Sequence, residues 1–154
     1  MNHEKVALIF GGARGIGAAI AARLAREGYR VAITWVSRPD RAQALVSTIA
    51  RQGGQAIAIE ADSADAAAIQ AAVDTTLRRY GRLDVAVVNA GVLRPGTIEE
   101  YALADLDATL SVNVRGVFLA IQAAVKPMTE GGGLSPSAAI PPCVPGMRAA
   151  AFMP

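Results

Sequence analysis

The chain has 154 residues, 53% hydrophobic and only 5% aromatic, with 15 Lys and Arg against 13 Asp and Glu for a formal charge of +2. A chain of this length forms one domain that buries roughly 70% of its unfolded surface, and its richness in Ala, Val, Leu, Ile and Gly suits helices lying close on a sheet. The composition argues against disorder, the scattered arginines form no aromatic-interleaved cluster of the kind that binds nucleic acid, and a single cysteine, Cys143, with a single histidine, His3, excludes an internal disulfide and a zinc site.

In chain order, Lys5 to Phe10 is a predicted strand. Its apolar part, Val6 to Phe10, is too short for a secretory h-region or a membrane span, which points to a cytoplasmic protein with no membrane partner. Ile16 to Glu27 follows as a helix with Ile20 and Leu24 at helical spacing, then Arg30 to Trp35 as a second strand. Pro39 to Gln52 carries Leu45 and Ile49 on one helical face, with Ser37 as its expected cap and Pro39 in the first turn. Gln55 to Glu60 is the third strand, Ala64 to Tyr80 the third helix with Asp62 or Ser63 as cap, and Leu83 to Asn89 the fourth strand. Gly28, Gly53 and Gly81 fall where helix ends favour positive φ. Val6 to Phe10 and Val85 to Val88 are apolar without alternation, so both faces of the sheet must be covered, as in a parallel sheet between helix layers. After Gly91, a loop with Pro95 and Gly96 leads into a long helix, Leu103 to Met128, with a break near Asn113.

The segment FGGARGIG, Phe10 to Gly17, joins the first strand directly to the first helix, and that context turns a glycine pattern into a dinucleotide-binding turn of Rossmann type. Gly11 permits the tight turn, Gly15 lets backbone approach a pyrophosphate, and Gly17 lets the helix pack closely, while the helix N-terminus offers free N–H groups and a partial positive charge. No Gly-Lys-Ser/Thr follows, which excludes a P-loop. A cofactor with a free ribose 2′-OH calls for an acid after the second strand, yet Thr34, Trp35, Val36, Ser37 and Arg38 stand there. Arg38, with Arg14 in the turn, offers forks for a 2′-phosphate, which favours NADP(H) over NAD(H). The alternative is that both arginines are solvated surface groups, and Asp40 reads as a first-turn helix acid rather than a ribose ligand.

With Gly11, Gly15 and Gly17 at the spacing Gly-x-x-x-Gly-x-Gly, Asp62, the triplet Asn89-Ala90-Gly91 and Asn113, residues 4–130 resemble the short-chain dehydrogenase/reductase family. The resemblance implies an oxidoreductase moving hydride between a nicotinamide dinucleotide and a small carbonyl or alcohol substrate. It places the pyrophosphate on the glycine turn with Ile16 beside it, the adenine on Asp62 with its neighbour Ser63, and the nicotinamide ribose along Asn89, Ala90 and Gly91. It makes Asn113 the asparagine that orders a proton-relay water, and the helix from Leu103 to Met128 a surface for homo-oligomer formation. Two departures stand out. Phe10 replaces the family's usual Thr before the first glycine, which alters how the turn is anchored. The family's Ser and Tyr-x-x-x-Lys are missing: four residues after Tyr29, Tyr80 and Tyr101 stand Ile33, Asp84 and Asp105, and the only lysines are Lys5 and Lys126. Without a proton donor the chain is expected to be catalytically incomplete, the alternative role being a non-catalytic cofactor-binding or interaction fragment.

From Gly131 the pattern changes to GGGLSPSAAIPPCVPGMRAAAFMP, holding Pro136, Pro141, Pro142, Pro145 and Pro154. No strand or helix is expected there, and Ser135 and Ser137, set among prolines, are not expected to be held by a strand as the substrate serine. Such an abrupt loss of periodicity is what an out-of-register coding sequence produces, an expectation tested by reading the DNA in its other two frames. The expected architecture is therefore α/β, an incomplete doubly wound parallel sheet of four strands over residues 1–130 with an irregular tail over 131–154, leaving Val85 to Val88 as an unpaired, aggregation-prone edge.

Overall fold

A computed structural model describes residues 4–136, so His3, Ser137, Cys143 and the rest of the Pro-rich stretch lie outside the described residues. The strands are β1 (Val6–Phe10), β2 (Arg30–Trp35), β3 (Gln55–Glu60), β4 (Leu83–Val88) and β5 (Met128–Pro136), all parallel, in the order β3-β2-β1-β4-β5. The helices are α1 (Gly15–Arg26), α2 (Pro39–Arg51), α3 (Ala66–Tyr80), α4 (Leu103–Leu110) and α5 (Val117–Val125), the last two joined by a π-helical segment, Ser111–Gly116. This is the expected doubly wound α/β sheet. The order runs outward from β1 through β3, then crosses back to β4 on the other side of β1, which makes the gap between β1 and β4 the topological switch point.

The alternation of β1 explains why the chain winds both ways. Leu8 and Phe10 face a core built with Ile69, Ala72 and Val73 of α3 and Ala120, Ala123 and Ala124 of α5, whereas Ala7 and Ile9 face Ala21 and Ala25 of α1 and Ala42 and Ile49 of α2. No residue of β1 is more than 1% exposed, and each of its large side chains contributes about 1.5–3 kcal/mol by leaving water. Alanines on the helix faces keep the layers close, as the composition suggested.

Helix ends follow short-range chemistry with two corrections. Gly28, Gly53 and Gly81 take the expected positive φ, at 86°, 81° and 80°. Helix α3 is capped by Asp65, whose carboxylate accepts from the Ala67 N–H at 2.8 Å, rather than by Asp62 or Ser63; Asp62 instead accepts from Ala64 N–H in the preceding turn. Helix α2 begins after Arg38 without any side-chain cap, so Ser37 does not serve. The expected break near Asn113 is a π turn inside one continuous 23-residue helical run, Leu103–Val125. By length and composition that run is apolar enough to cross a membrane, with mean hydropathy 1.4. Its α5 half lies against α3 and the sheet.

A larger correction concerns the end of the sheet. Residues 131–136, expected to be irregular, belong to β5, which pairs with β4 from Leu83↔Met128 to Val88↔Pro136 across a bulge between Leu83 and Val85. Val85 to Val88 is thus covered rather than an edge, and Ser135 stands on a strand opposite Val87. Parallel pairing needs only backbone, so three glycines do not forbid it, and Pro136 falls at the terminus of the strand that is outermost among the described residues, where a missing N–H is tolerated.

Candidate functional site

The carboxyl ends of β1, β2, β3 and β4 open into a crevice of about 900 Å³. Its floor is the glycine turn. Gly11 has φ 74° and Gly15 φ 53°, both in the left-handed region that glycine tolerates. A Cβ on Gly11 would lie 2.8 Å from the Ala90 Cα, and one on Gly17 would strike the Gly11 carbonyl and lie 2.6 Å from the Asn89 amide nitrogen. Gly17 therefore permits close packing as expected, although its near neighbours are the turn itself and the end of β4.

Three contacts hold the turn. The Thr34 hydroxyl accepts from Gly11 N–H at 2.9 Å, the Thr34 carbonyl accepts from Gly12 N–H at 3.1 Å, and the Asn89 side chain donates to the Gly11 carbonyl at 3.0 Å. Thr34, only 1% exposed near the end of β2, was not singled out from the sequence; a threonine directly after the apolar run Val31 to Ile33 was the available signal. It answers what Phe10 left open, since Phe10 is a core residue and the turn is tied to the neighbouring strand. Gly12 was also missed: a Cβ there would lie 2.6 Å from Ile33 Cγ2.

Around this floor the crevice gathers Gly11, Arg14, Gly15, Ile16, Arg38, Asp62, Ser63, Asn89, Ala90 and Gly91, together with Arg41, which the sequence reading did not pick out. Gly17 sits beneath the surface and Asn113 at the rim. The first turn of α1 contains no acid, and its N-cap residue Arg14 makes no side-chain capping bond, so its N–H groups and dipole face the crevice uncompensated by a carboxylate. At the β2 end, Arg38 donates to both oxygens of Asp40, at 3.0 and 2.8 Å, and this exposed pairing holds the Asp40 carboxyl down at about 2. Asp40 is thus the first-turn acid of α2, turned onto Arg38.

Across the crevice, the Asn113 amide is engaged twice by one residue: its oxygen accepts from Val92 N–H at 2.9 Å and its nitrogen donates to the Val92 carbonyl at 2.8 Å. It thereby fastens the loop that follows Gly91. At the opposite end of β4, Asp84 is 6% exposed, accepts from Val6 N–H at 2.8 Å and is forked by Arg82. Burial by itself pushes the Asp84 carboxyl up, but the Arg82 and Val6 donors outweigh it and leave the group below its ordinary value.

These features fit a bound dinucleotide: a glycine floor that a Cβ would fill, an acid-free helix terminus for a pyrophosphate, and four arginines, Arg14, Arg38, Arg41 and Arg94, lining the crevice. Comparison with known proteins agrees. The short chain dehydrogenase family model matches residues 5–134. D-threitol dehydrogenase of Mycolicibacterium smegmatis is 43% identical over 129 residues, covering 84% of this chain and 49% of that protein. Elsinochrome reductase 1 of Elsinoe fawcettii is 40% identical over 128 residues, covering 83% and 48%. A solved short chain dehydrogenase from Burkholderia cenocepacia J2315 in complex with NADP superposes with a TM-score of 0.84 at 50% identity, covering 88% of this chain and 56% of that one. The chain spans about half the length of the curated relatives it matches.

Proposed function

Since the chain belongs to the short-chain dehydrogenase family, we propose that its crevice binds NADP(H) in preference to NAD(H), as the cofactor half of an oxidoreductase acting on a carbonyl or alcohol. The observation that carries this reading is the switch-point crevice with a glycine floor and Arg14, Arg38 and Arg41 along its lining. Gly11, Gly15, Ile16 and the N–H groups of the first turn of α1 hold the pyrophosphate, with Gly17 allowing that turn its close approach. Arg14 and Arg38 hold the 2′-phosphate by charge-assisted forks, Arg38 exchanging its Asp40 partner for the ligand. Asp62 and Ser63 take the adenine. Asn89, Ala90 and Gly91 line the nicotinamide ribose, and Asn113 holds the loop beyond them at the substrate end, where a relay water belongs. When bound, the cofactor supplies or accepts the hydride.

These 154 residues contain no Tyr-x-x-x-Lys, so no lysine-activated tyrosine can protonate a carbonyl. Our reading is that the chain by itself binds weakly, since it spans about half the length of its relatives, and does not turn over. Titrating the purified chain with NADPH and NADH by nicotinamide fluorescence tests the first half, with NADPH expected tighter and in the micromolar range or weaker. NADH binding as tightly as NADPH overturns the cofactor preference, and a submicromolar NADPH dissociation constant overturns the weak-binding part. Following NADPH oxidation over a panel of ketones tests the second half; turnover above background refutes inactivity.

One further observation favours association. Leu103, Leu106, Leu110, Val114 and Phe118, 42–71% exposed, recur three or four residues apart and form an apolar stripe along α4, the π segment and α5. We assign this stripe to pairing with a second copy or a longer homologue in the cytoplasm, rather than to lipid, because the same helical run buries its α5 half in the core.

A further inference from the structure

The π segment Ser111–Gly116 touches both loops that border the crevice. On one side Asn113 brackets Val92, just past Gly91, through the two hydrogen bonds of 2.9 and 2.8 Å. On the other, Arg115 donates to the Ala64 carbonyl at 3.1 Å, and buried Gly116 lies so close under the Ser63 carbonyl that a Cβ on it would overlap that oxygen and stand 3.1 Å from the Ser111 carbonyl. Ser63 and Ala64 directly follow Asp62 at the end of β3. One six-residue stretch of helix therefore grips the loop after β3 and the loop after β4, which are adjacent neither in sequence nor in the sheet, where β2 and β1 intervene. An extra residue in a helical turn costs regular hydrogen bonding and persists where a function or a packing demand compensates it. Here it lets Asn113 and Arg115, two residues apart, serve opposite loops while the backbone at Gly116 lies flush against Ser63.

We propose that the π segment is a crossbar setting the separation of the two loops, with Gly116 and Arg115 as positioning residues for the ligand that spans them. The inference rests on the dinucleotide reading for its consequence but not for its mechanical part. A dinucleotide touching Asp62 at one end and Asn89 to Gly91 at the other needs the two loops held at one distance. Gly116→Ala forces Ser63 and the helix apart, and Arg115→Ala releases Ala64 without adding bulk.

The test combines amide hydrogen exchange of the ligand-free chain with NADPH titration. In Gly116→Ala, exchange at Val92 N–H, on the loop that the substitution does not touch, rises on the order of tenfold, while Val6 N–H, held by Asp84, stays protected; NADPH affinity falls by a similar factor. Arg115→Ala shows the same pattern at roughly two- to fivefold with an unchanged Tm, and this variant decides the matter should Gly116→Ala fail to fold. Unchanged Val92 exchange in Arg115→Ala, or a rise equal to that at Val6, overturns the crossbar. Wild-type protein that binds no NADPH overturns the dinucleotide reading instead, and the exchange measurements still decide the mechanical claim.

Discussion

Replacing Gly17 by Ala sets two effects of opposite sign against each other. Gly17 is the third residue of α1, and in a helix Ala is favoured over Gly by about 0.8–1 kcal/mol, so propensity alone predicts a more stable protein. The structure predicts the reverse. The new methyl would occupy the space of the Gly11 carbonyl, a backbone group, and sit 2.6 Å from the Asn89 side-chain amide nitrogen, which is tied to that same carbonyl by its hydrogen bond. Forcing a methyl group into such a site costs about 1–3 kcal/mol, and losing the Asn89 to Gly11 hydrogen bond, 3.0 Å long, costs about another 1 kcal/mol. The net expectation is destabilisation by about 1–3 kcal/mol, read from the midpoint of urea unfolding at unchanged slope. Because the displaced atoms belong to the turn itself, NADPH affinity is expected to fall at least roughly tenfold, equivalent to about 1.4 kcal/mol. Ala19→Gly, on the exposed face of the same helix, is the control: it loses about 1 kcal/mol of propensity and leaves the affinity where it was. A Gly17→Ala protein at least as stable as wild type, with unchanged affinity, refutes the close packing of α1 against the turn.

Other outcomes follow from single contacts. Thr34→Val keeps the shape but removes the acceptor of Gly11 N–H, and is expected to cost about 1–2 kcal/mol, a Tm decrease on the order of 4–6 °C by thermal unfolding, with weaker NADPH binding. Arg38→Ala is expected to bring the NADPH and NADH dissociation constants together by weakening only the former, which parallel titrations would show. Asp84 titrates below its ordinary value in the folded chain, so the stability it contributes is fully present above the unfolded carboxyl value of about 4 and is lost as pH falls through the depressed folded one. Unfolding midpoints measured from pH 7 down to pH 2 should therefore drop more steeply at the acid end for wild type than for Asp84→Asn, which starts lower. Leu110→Asp with Phe118→Asp places charge on the apolar stripe and is expected to convert any self-associated species to monomer in sedimentation velocity.

Much of the molecule was legible from local pattern. Apolar, β-branched runs located β1 to β4 to within a residue or two, and in β1 and β4 the lack of alternation marked strands covered on both faces; helix ends announced themselves through glycines whose positive φ the structure confirms. The residues nominated for the crevice do line it, apart from Gly17 beneath its floor and Asn113 at its rim, because a strand-turn-helix junction places its own backbone at the carboxyl end of the sheet whatever the rest of the chain does. Where a choice depended on one hydrogen bond it failed: Asp65 rather than Asp62 or Ser63 caps α3, since all three offer an oxygen and only the path of the loop decides which reaches the helix.

The positions of the first four strands, their burial on both faces, the glycine helix ends and the glycine turn were thus implicit in periodicity and spacing, which act over a few residues and leave a mark in the linear pattern, whereas the strand order was decided by the tertiary structure. Thr34 beneath Gly11 is 23 positions away, Arg115 reaches Ala64 across 51, and Asn89 reaches Gly11 across 78. No local pattern encodes those pairings, because each exists only once the sheet has brought separate strand ends together. For the same reason β5 was invisible: its glycines and proline carry no side-chain signature of a strand, and only the waiting edge of β4, with its row of unpaired backbone groups, makes a strand of them.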